Sequence, residues 1–165
     1  MAIELIVLDV DGTLTDGKIT YTQNGDEVKS FCVKDGLAIA SWLKLGKQVA
    51  IITGRNSKIV ERRAKELGIN YFYQAVHNKQ EVLEGLLKEL NLSMDNVASA
   101  GDDLNDYKML KASKRSFVPI NASIYVKNIA TDILNSKGGE GAIREMLESL
   151  ICDEGLEKEY LALWY

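Results

Sequence analysis

One histidine, His77, and two cysteines, Cys32 and Cys152, are all that 165 residues contain of those types. Their scarcity removes whole classes of chemistry. Two distant cysteines build neither a disulfide framework nor a zinc cluster, and both read as reduced packing residues. A lone histidine without a recognisable partner does not support a histidine-based mechanism. Cys32 has Ala38 where a thiol phosphatase would place its arginine, so neither cysteine reads as a nucleophile. No apolar run approaches the roughly 18 residues that cross a bilayer, and the N-terminus shows no basic region followed by a leader-like apolar stretch. No block of like charges occurs, and the net charge of −4 argues against a nucleic-acid or anionic-membrane partner. A cytoplasmic location is expected. Repeats and low-complexity linkers are also missing. With 46% hydrophobic and 27% charged residues, positions 1–165 therefore read as one globular domain.

What is present begins with Leu5-Ile-Val-Leu-Asp9-Val-Asp11-Gly-Thr-Leu-Thr-Asp-Gly17. Ile6, Val7 and Leu8 read as a strand buried on both faces, so Asp9 and Asp11 emerge where the sheet ends, on the same side by strand alternation. Two like charges so placed repel, and burying them costs several kcal/mol apiece, roughly, unless a cation or a hydrogen-bond network offsets it. A capped turn would explain one acid but not both. Gly12 to Ile19 nearly matches a nucleotide-binding loop, but Ile19 stands where Ser or Thr is required.

Residues 18–31 alternate in polarity around Asn24-Gly25 and predict a projecting hairpin. Asp35 is expected to cap a helix running through Leu37, Ile39, Ala40 and Leu43 and closed by Gly46; Val49 to Thr53 then form a second buried strand. The alternation continues with a helix over 57–67, a strand over 71–73, a helix over 80–90, a strand over 97–100, a helix over 104–111, a strand over 116–118 and helices over 141–150 and 154–163. Strands and helices in alternation predict an α/β fold with an open parallel sheet.

In such sheets ligands bind beyond the carboxyl ends of the strands. Those positions hold Asp9 and Asp11 after the first strand, Thr53-Gly54-Arg55 after the second, Lys79 after the third and Gly101-Asp102-Asp103 after the fourth. Several carboxylates with no histidine or cysteine describe a hard, oxygen-only cation site, suited to Mg2+. Thr53 and Lys79 add a hydroxyl and a point positive charge, and the glycines at 12, 54 and 101 are expected to let backbone amides approach phosphate oxygens. The ligand should be a phosphoryl group. Enzymes of phosphate-monoester hydrolysis reach accelerations of up to ~10²¹, so a nucleophile and an acid are needed beside the metal. Asp9 could attack phosphorus to form an aspartyl-phosphate, and Asp11 could protonate the leaving alkoxide and then activate water. Asp103 and Asp106 read equally well as caps of the helix that follows.

Asp9-Val-Asp11-Gly-Thr, Thr53, Lys79 and Gly101-Asp102-Asp103 together resemble the four motifs of the haloacid dehalogenase superfamily phosphatases, in order and approximate spacing. The resemblance implies that Asp9 is the nucleophile, Asp11 the acid/base, and Thr53, Gly54 and Lys79 phosphate ligands. It also implies that magnesium is held by Asp9, Asp102 and the backbone carbonyl of Asp11, with Asp103 and Asp106 in support. The implied fold is a three-layer Rossmann-like sheet without a cap domain, since core elements consume the intervals between motifs.

Within the capless group, Asn24 to Phe31, Lys34-Asp35-Gly36, Ile51 to Arg55 and Gly138 to Glu145 are similar to the phosphatases of 3-deoxy-D-manno-octulosonate 8-phosphate, an acidic sugar phosphate of lipopolysaccharide precursor synthesis. That family implies a homotetramer with hairpins at the subunit interface, and sugar contacts at Lys34, Asp35, Gly36, Arg55 and Arg63. This chain departs from the usual Asn-Val-Arg-Asp-Gly of the family with Cys32-Val-Lys34-Asp-Gly, exchanging a bidentate fork for a point charge. Ala40 and Glu140 also stand where basic residues are common. Phosphatases for a nine-carbon, sialic-type sugar phosphate are the alternative within the class, and a non-catalytic phospho-receiver domain the alternative outside it. In a receiver the phosphorylated aspartate would follow the third strand, and nothing comparable follows Tyr71 to Tyr73.

Overall fold

A computed structural model describes residues 2–165. Strand β1 (Leu5–Leu8) is buried along its whole length, the condition of a strand covered on both faces. It lies at the centre of a six-stranded parallel sheet, between β4 (Gln48–Ile52) and β6 (Val97–Ala100). Beyond β4 lies β5 (Tyr71–Tyr73); beyond β6 lie β7 (Arg115–Val118) and β8 (Asp132–Ile133). The order is β5-β4-β1-β6-β7-β8.

Strand alternation divides the core in two. Ile6, Leu8, Val49, Ile51, Ala98 and Ala100 face one way and pack against helices α1 (Val33–Lys44), α2 (Lys58–Leu67) and α6 (Ala142–Asp153), through Trp42, Val60, Met146 and Leu150 among others. Leu5, Val7, Ala50, Ile52 and Val97 face the other way, onto Leu83, Leu86 and Leu87 of α3 (Lys79–Leu90) and Met109 of α4 (Tyr107–Ala112). Helix, sheet and helix form three layers, as predicted. Helices α5 (Ile124–Lys127) and α7 (Glu157–Ala162) are short additions, and no cap domain interrupts the described residues.

Strands β2 (Thr20–Tyr21) and β3 (Glu27–Val28) form the predicted hairpin, but each contributes only two residues to the ladder. An isolated ribbon with exposed Tyr21 and Val28 has no sheet to extend its pairing. Asp35 does not cap its own helix: α1 begins at Val33, and the Asp35 carboxylate instead accepts from the Arg144 amide at 2.8 Å, in the first turn of α6. Residue 141, before α6, is a glycine with no side chain to cap it, and the acid from another helix takes that place. The helix expected over 104–111 opens as a 3-10 turn at Leu104–Asp106 before α4. Helix α6 continues to Asp153, beyond the predicted Leu150. Cys152 is exposed, not the packing residue expected.

Candidate active site

The sheet register builds the site. Leu8 is level with Ile51 on one side and Ala100 on the other, so Asp9, Thr53 and Asp102 leave three adjacent strands at one edge. The Asp9 amide donates to the Ala100 carbonyl at 3.0 Å, continuing the ladder into the site. Thr53 is buried, its amide bound to the Tyr73 carbonyl and its carbonyl to the Val76 amide. These bonds tie the loop after β5 to the loop after β4 and carry the chain to Lys79, the first residue of α3.

Lys79 is not a solvated helix start. Its side chain is 1% exposed, and Nζ donates to Asp9 at 2.5 Å and to Asp106 at 2.6 Å. Burial alone would lower the lysine's pKa, but the two carboxylates more than offset this and raise it. Asp106, fully buried, spends its second oxygen on the amides of Asp102 (2.9 Å) and Asp103 (3.3 Å). It thereby shapes the loop that presents Asp102. Asp103 is exposed and caps the turn through the Leu104 amide, the role equally foreseen for it.

Asp9, Asp102 and Asp106 each offer an oxygen within 4.8 Å of the others. Burial, and then the charge of Asp106, push the Asp9 carboxyl well above its ordinary range despite Lys79. The same two causes raise Asp102 to about 6. One ammonium among three carboxylates leaves a negative excess in a poorly solvated place, which an oxygen-preferring divalent cation fits. Because both oxygens of Asp106 already have donors, Asp9 and Asp102 are the carboxylates left to hold it.

Gly12 and Gly101 also answer to a packing constraint. A Cβ on Gly12 would lie 2.1 Å from an Asp102 oxygen, and one on Gly101 would lie 2.5 Å from the Asp106 carboxyl carbon. These glycines make room for carboxylates, and Gly12 adopts a left-handed φ of 98° besides. At Gly54 a Cβ would make only ordinary contacts.

Several partners in the site were not singled out from the sequence. Thr13 donates its hydroxyl to Asp102 at 3.2 Å. The Thr15 hydroxyl accepts from the Gly12 and Gly17 amides and closes the loop after β1. Lys29, on the hairpin arm after β3, pairs with the carboxylate of Asp11. Glu27, two residues earlier, accepts from Arg55 at 3.1 Å and from the Ser57 hydroxyl at 2.9 Å. Burial works against the Glu27 charge, but these bonds outweigh it and lower its pKa. The signal was the alternation already read in the hairpin, which sends Glu27 and Lys29 to one side.

The predicted site residues thus divide. Asp9, Thr53, Lys79, Asp102 and Asp106 converge at the sheet edge, and Asp11 and Arg55 meet the hairpin beside it. Asp35, Gly36 and Arg63 line one cavity with Phe31, and Lys34 precedes Asp35 in the first turn of α1. Arg63 lies over the Phe31 ring at 5.7 Å and crowds Gly36, where a Cβ would be 2.4 Å from its guanidinium. The second Asp35 oxygen has no hydrogen-bond partner among the described residues, and burial raises its pKa despite the amides of α6. Lys34 is exposed, and its carbonyl accepts from Arg144 at 3.2 Å.

Residues 71–147 match a family model described as haloacid dehalogenase-like hydrolase. The 3-deoxy-D-manno-octulosonate 8-phosphate phosphatase of Haemophilus influenzae is 39% identical over 153 residues, 93% of this chain and 85% of that protein. The enzyme of the same name from Escherichia coli K12 is 40% identical, over 93% of this chain and 81% of its own. Among solved structures, that phosphatase from Moraxella catarrhalis, in complex with magnesium ion, phosphate ion and a KDO molecule, superposes with a TM-score of 0.95 at 37% identity, covering 99% of this chain and 94% of that one. The cobalt-bound Haemophilus influenzae structure gives 0.89 at 38% identity, with 93% and 90% covered.

Proposed function

The chain belongs to the 3-deoxy-D-manno-octulosonate 8-phosphate phosphatases of the haloacid dehalogenase-like hydrolases, and on that premise we propose that it hydrolyses this eight-carbon ester to the free sugar acid and inorganic phosphate. Magnesium is the cofactor, as the Moraxella structure holds it and the carboxylate set here fits it. The observation that carries the reading is the buried Lys79 ammonium, held between Asp9 and Asp106 with Asp102 beside them.

In the proposed reaction an Asp9 oxygen attacks phosphorus while the bond from phosphorus to the sugar oxygen breaks. Asp11 gives its proton to that oxygen. Water then attacks the aspartyl-phosphate, Asp11 takes the water's proton, and the bond between phosphorus and Asp9 breaks to release phosphate. Lys79 and Thr53 hold the phosphoryl oxygens. Asp9, Asp102 and the backbone carbonyl of Asp11 would hold magnesium, which supplies positive charge against the developing charge of the transferring group.

Arg55, Lys34, Asp35, Gly36 and Arg63 are proposed sugar contacts. Arg55 has the strongest support, because it lies beside the Asp11 arm with its side chain 41% exposed. The lateral cluster around Phe31 requires a sugar, or a neighbouring copy, that reaches it. A homotetramer joined through the hairpins is proposed as well, supported by exposed Ile19, Tyr21, Val28, Val33 and Leu37 along one stretch of chain. No helix of the described residues is long and apolar enough to cross a membrane, and a cytoplasmic location fits that.

The direct test is phosphate release from the eight-carbon ester with magnesium, with and without a chelator. Release that stops on chelation and in Asp9→Asn supports the reading; release that survives either contradicts it.

A further inference from the structure

We infer that Lys29, supplied by the hairpin, is a positioning residue for Asp11, so that the hairpin sets the geometry of the acid/base. The inference rests on the role proposed for Asp11 above.

The hairpin is otherwise open to solvent, with Tyr21 62% and Val28 43% exposed, yet the Lys29 side chain on its second arm is only 1% exposed. Its stem is packed and its ammonium is delivered to one carboxylate. Among the described residues, Lys29 is the only hydrogen-bond partner of the Asp11 carboxylate. Asp11 itself lies in a turn, outside the sheet ladder that fixes Asp9. Its side chain therefore depends on a partner for direction.

The arm is also anchored. Glu27, on the same side, bonds Arg55 and the Ser57 hydroxyl, at the loop after β4 and the residue before α2. The Lys29 ammonium lies 3.4 Å from the same Glu27 carboxylate. One end of the arm is thus held on the core and the other on the acid/base. An acid must reach the oxygen it protonates within hydrogen-bond distance, and small misplacements cost up to about a hundredfold in rate.

Leaving-group dependence separates this role from a merely structural one. A sugar alkoxide leaves poorly without a proton, whereas p-nitrophenolate needs little help. Lys29→Met is expected to lower kcat/KM, which reports the steps up to departure of the leaving group and not the later hydrolysis of the aspartyl-phosphate, by about 10- to 100-fold for the eight-carbon sugar phosphate, and by less than about 3-fold for p-nitrophenyl phosphate, since little of the barrier to its departure depends on the acid. In an Asp11→Asn background the further loss on the sugar phosphate should shrink to less than about 3-fold, because the two residues act as one unit. Lys29→Gln carries the same expectations and decides the matter if Lys29→Met does not fold. Equal losses in kcat/KM on both esters, losses that multiply with Asp11→Asn, or an unchanged kcat/KM for the sugar phosphate would each overturn the inference while leaving the function intact. No phosphate release by the wild-type protein from either ester would overturn the function, and the inference with it.

Discussion

Asp9 and Asp11 differ in surroundings as much as in proposed role. Asp9 is buried against Lys79, whereas Asp11 keeps a partly exposed carboxylate beside Lys29. Asp9→Asn should abolish phosphoenzyme formation. Asp11→Asn should slow proton transfer and let the aspartyl-phosphate accumulate, visible as a mass gain in intact protein quenched during turnover. Equal residual activity in the two variants would contradict these roles. Asp102 makes a prediction about pH. Its folded-state pKa of about 6 lies above the ordinary 3.8, so between those values the metal-free folded state binds more protons than the unfolded one. That contribution to stability is present at low pH and lost as pH rises through about 6. Magnesium binding, which needs this carboxylate and that of Asp9 ionised, should show the opposite trend and weaken by at least about tenfold per pH unit below 6. Thermal shifts with and without magnesium between pH 5 and 7.5 check this; a magnesium effect constant over that range would refute it. The motif residues were legible because chemistry demands them at strand ends. Lys29 and Thr13 were not, because each acts through a partner distant in sequence.

At the scale of elements, β1 and the strand over 71–73 were readable from apolar runs and their boundaries. Helix α5 and strand β8 were not, since pieces of four and two residues carry no periodicity. The role of Asp35 was misread for a different reason: a capping carboxylate looks the same in sequence whether it serves its own helix or, as here, α6. The loop before α6 also braces the site. Gly139 donates its amide to the Thr13 carbonyl at 3.1 Å, and a Cβ on Gly138 would lie 1.8 Å from the Gly12 carbonyl oxygen. Gly138→Ala must therefore displace the loop carrying Asp11 and Gly12. It should lower stability by about 1–3 kcal/mol, the usual cost of overpacking, and reduce activity. Gly25→Ala, at the hairpin tip with a φ of 85° and open space, meets only backbone strain of about 1–2 kcal/mol and should leave activity unchanged. Denaturant melts and phosphate release on the two variants compare them; equal activity loss would count against the brace.

For the whole molecule, strand and helix alternation was enough to foresee an open parallel sheet, and the family resemblance, with core elements filling the intervals between motifs, implied three layers without a cap. What covers the open sheet edge is a matter of assembly, and a single chain's pattern of apolar positions cannot name its partner surface. If hairpins join copies, light scattering should report a tetramer, and Tyr21→Glu should shift it toward smaller species; a monomeric wild-type protein would exclude that arrangement. The phosphate end of the site is common to every ester such an enzyme takes, so neither Asp9 nor Lys79 distinguishes one sugar from another. The measurement that tests the account most directly is therefore phosphate release from the eight-carbon and nine-carbon 2-keto-3-deoxy sugar phosphates, side by side with magnesium. The account predicts a higher kcat/KM for the eight-carbon ester; preference for the nine-carbon ester would contradict it.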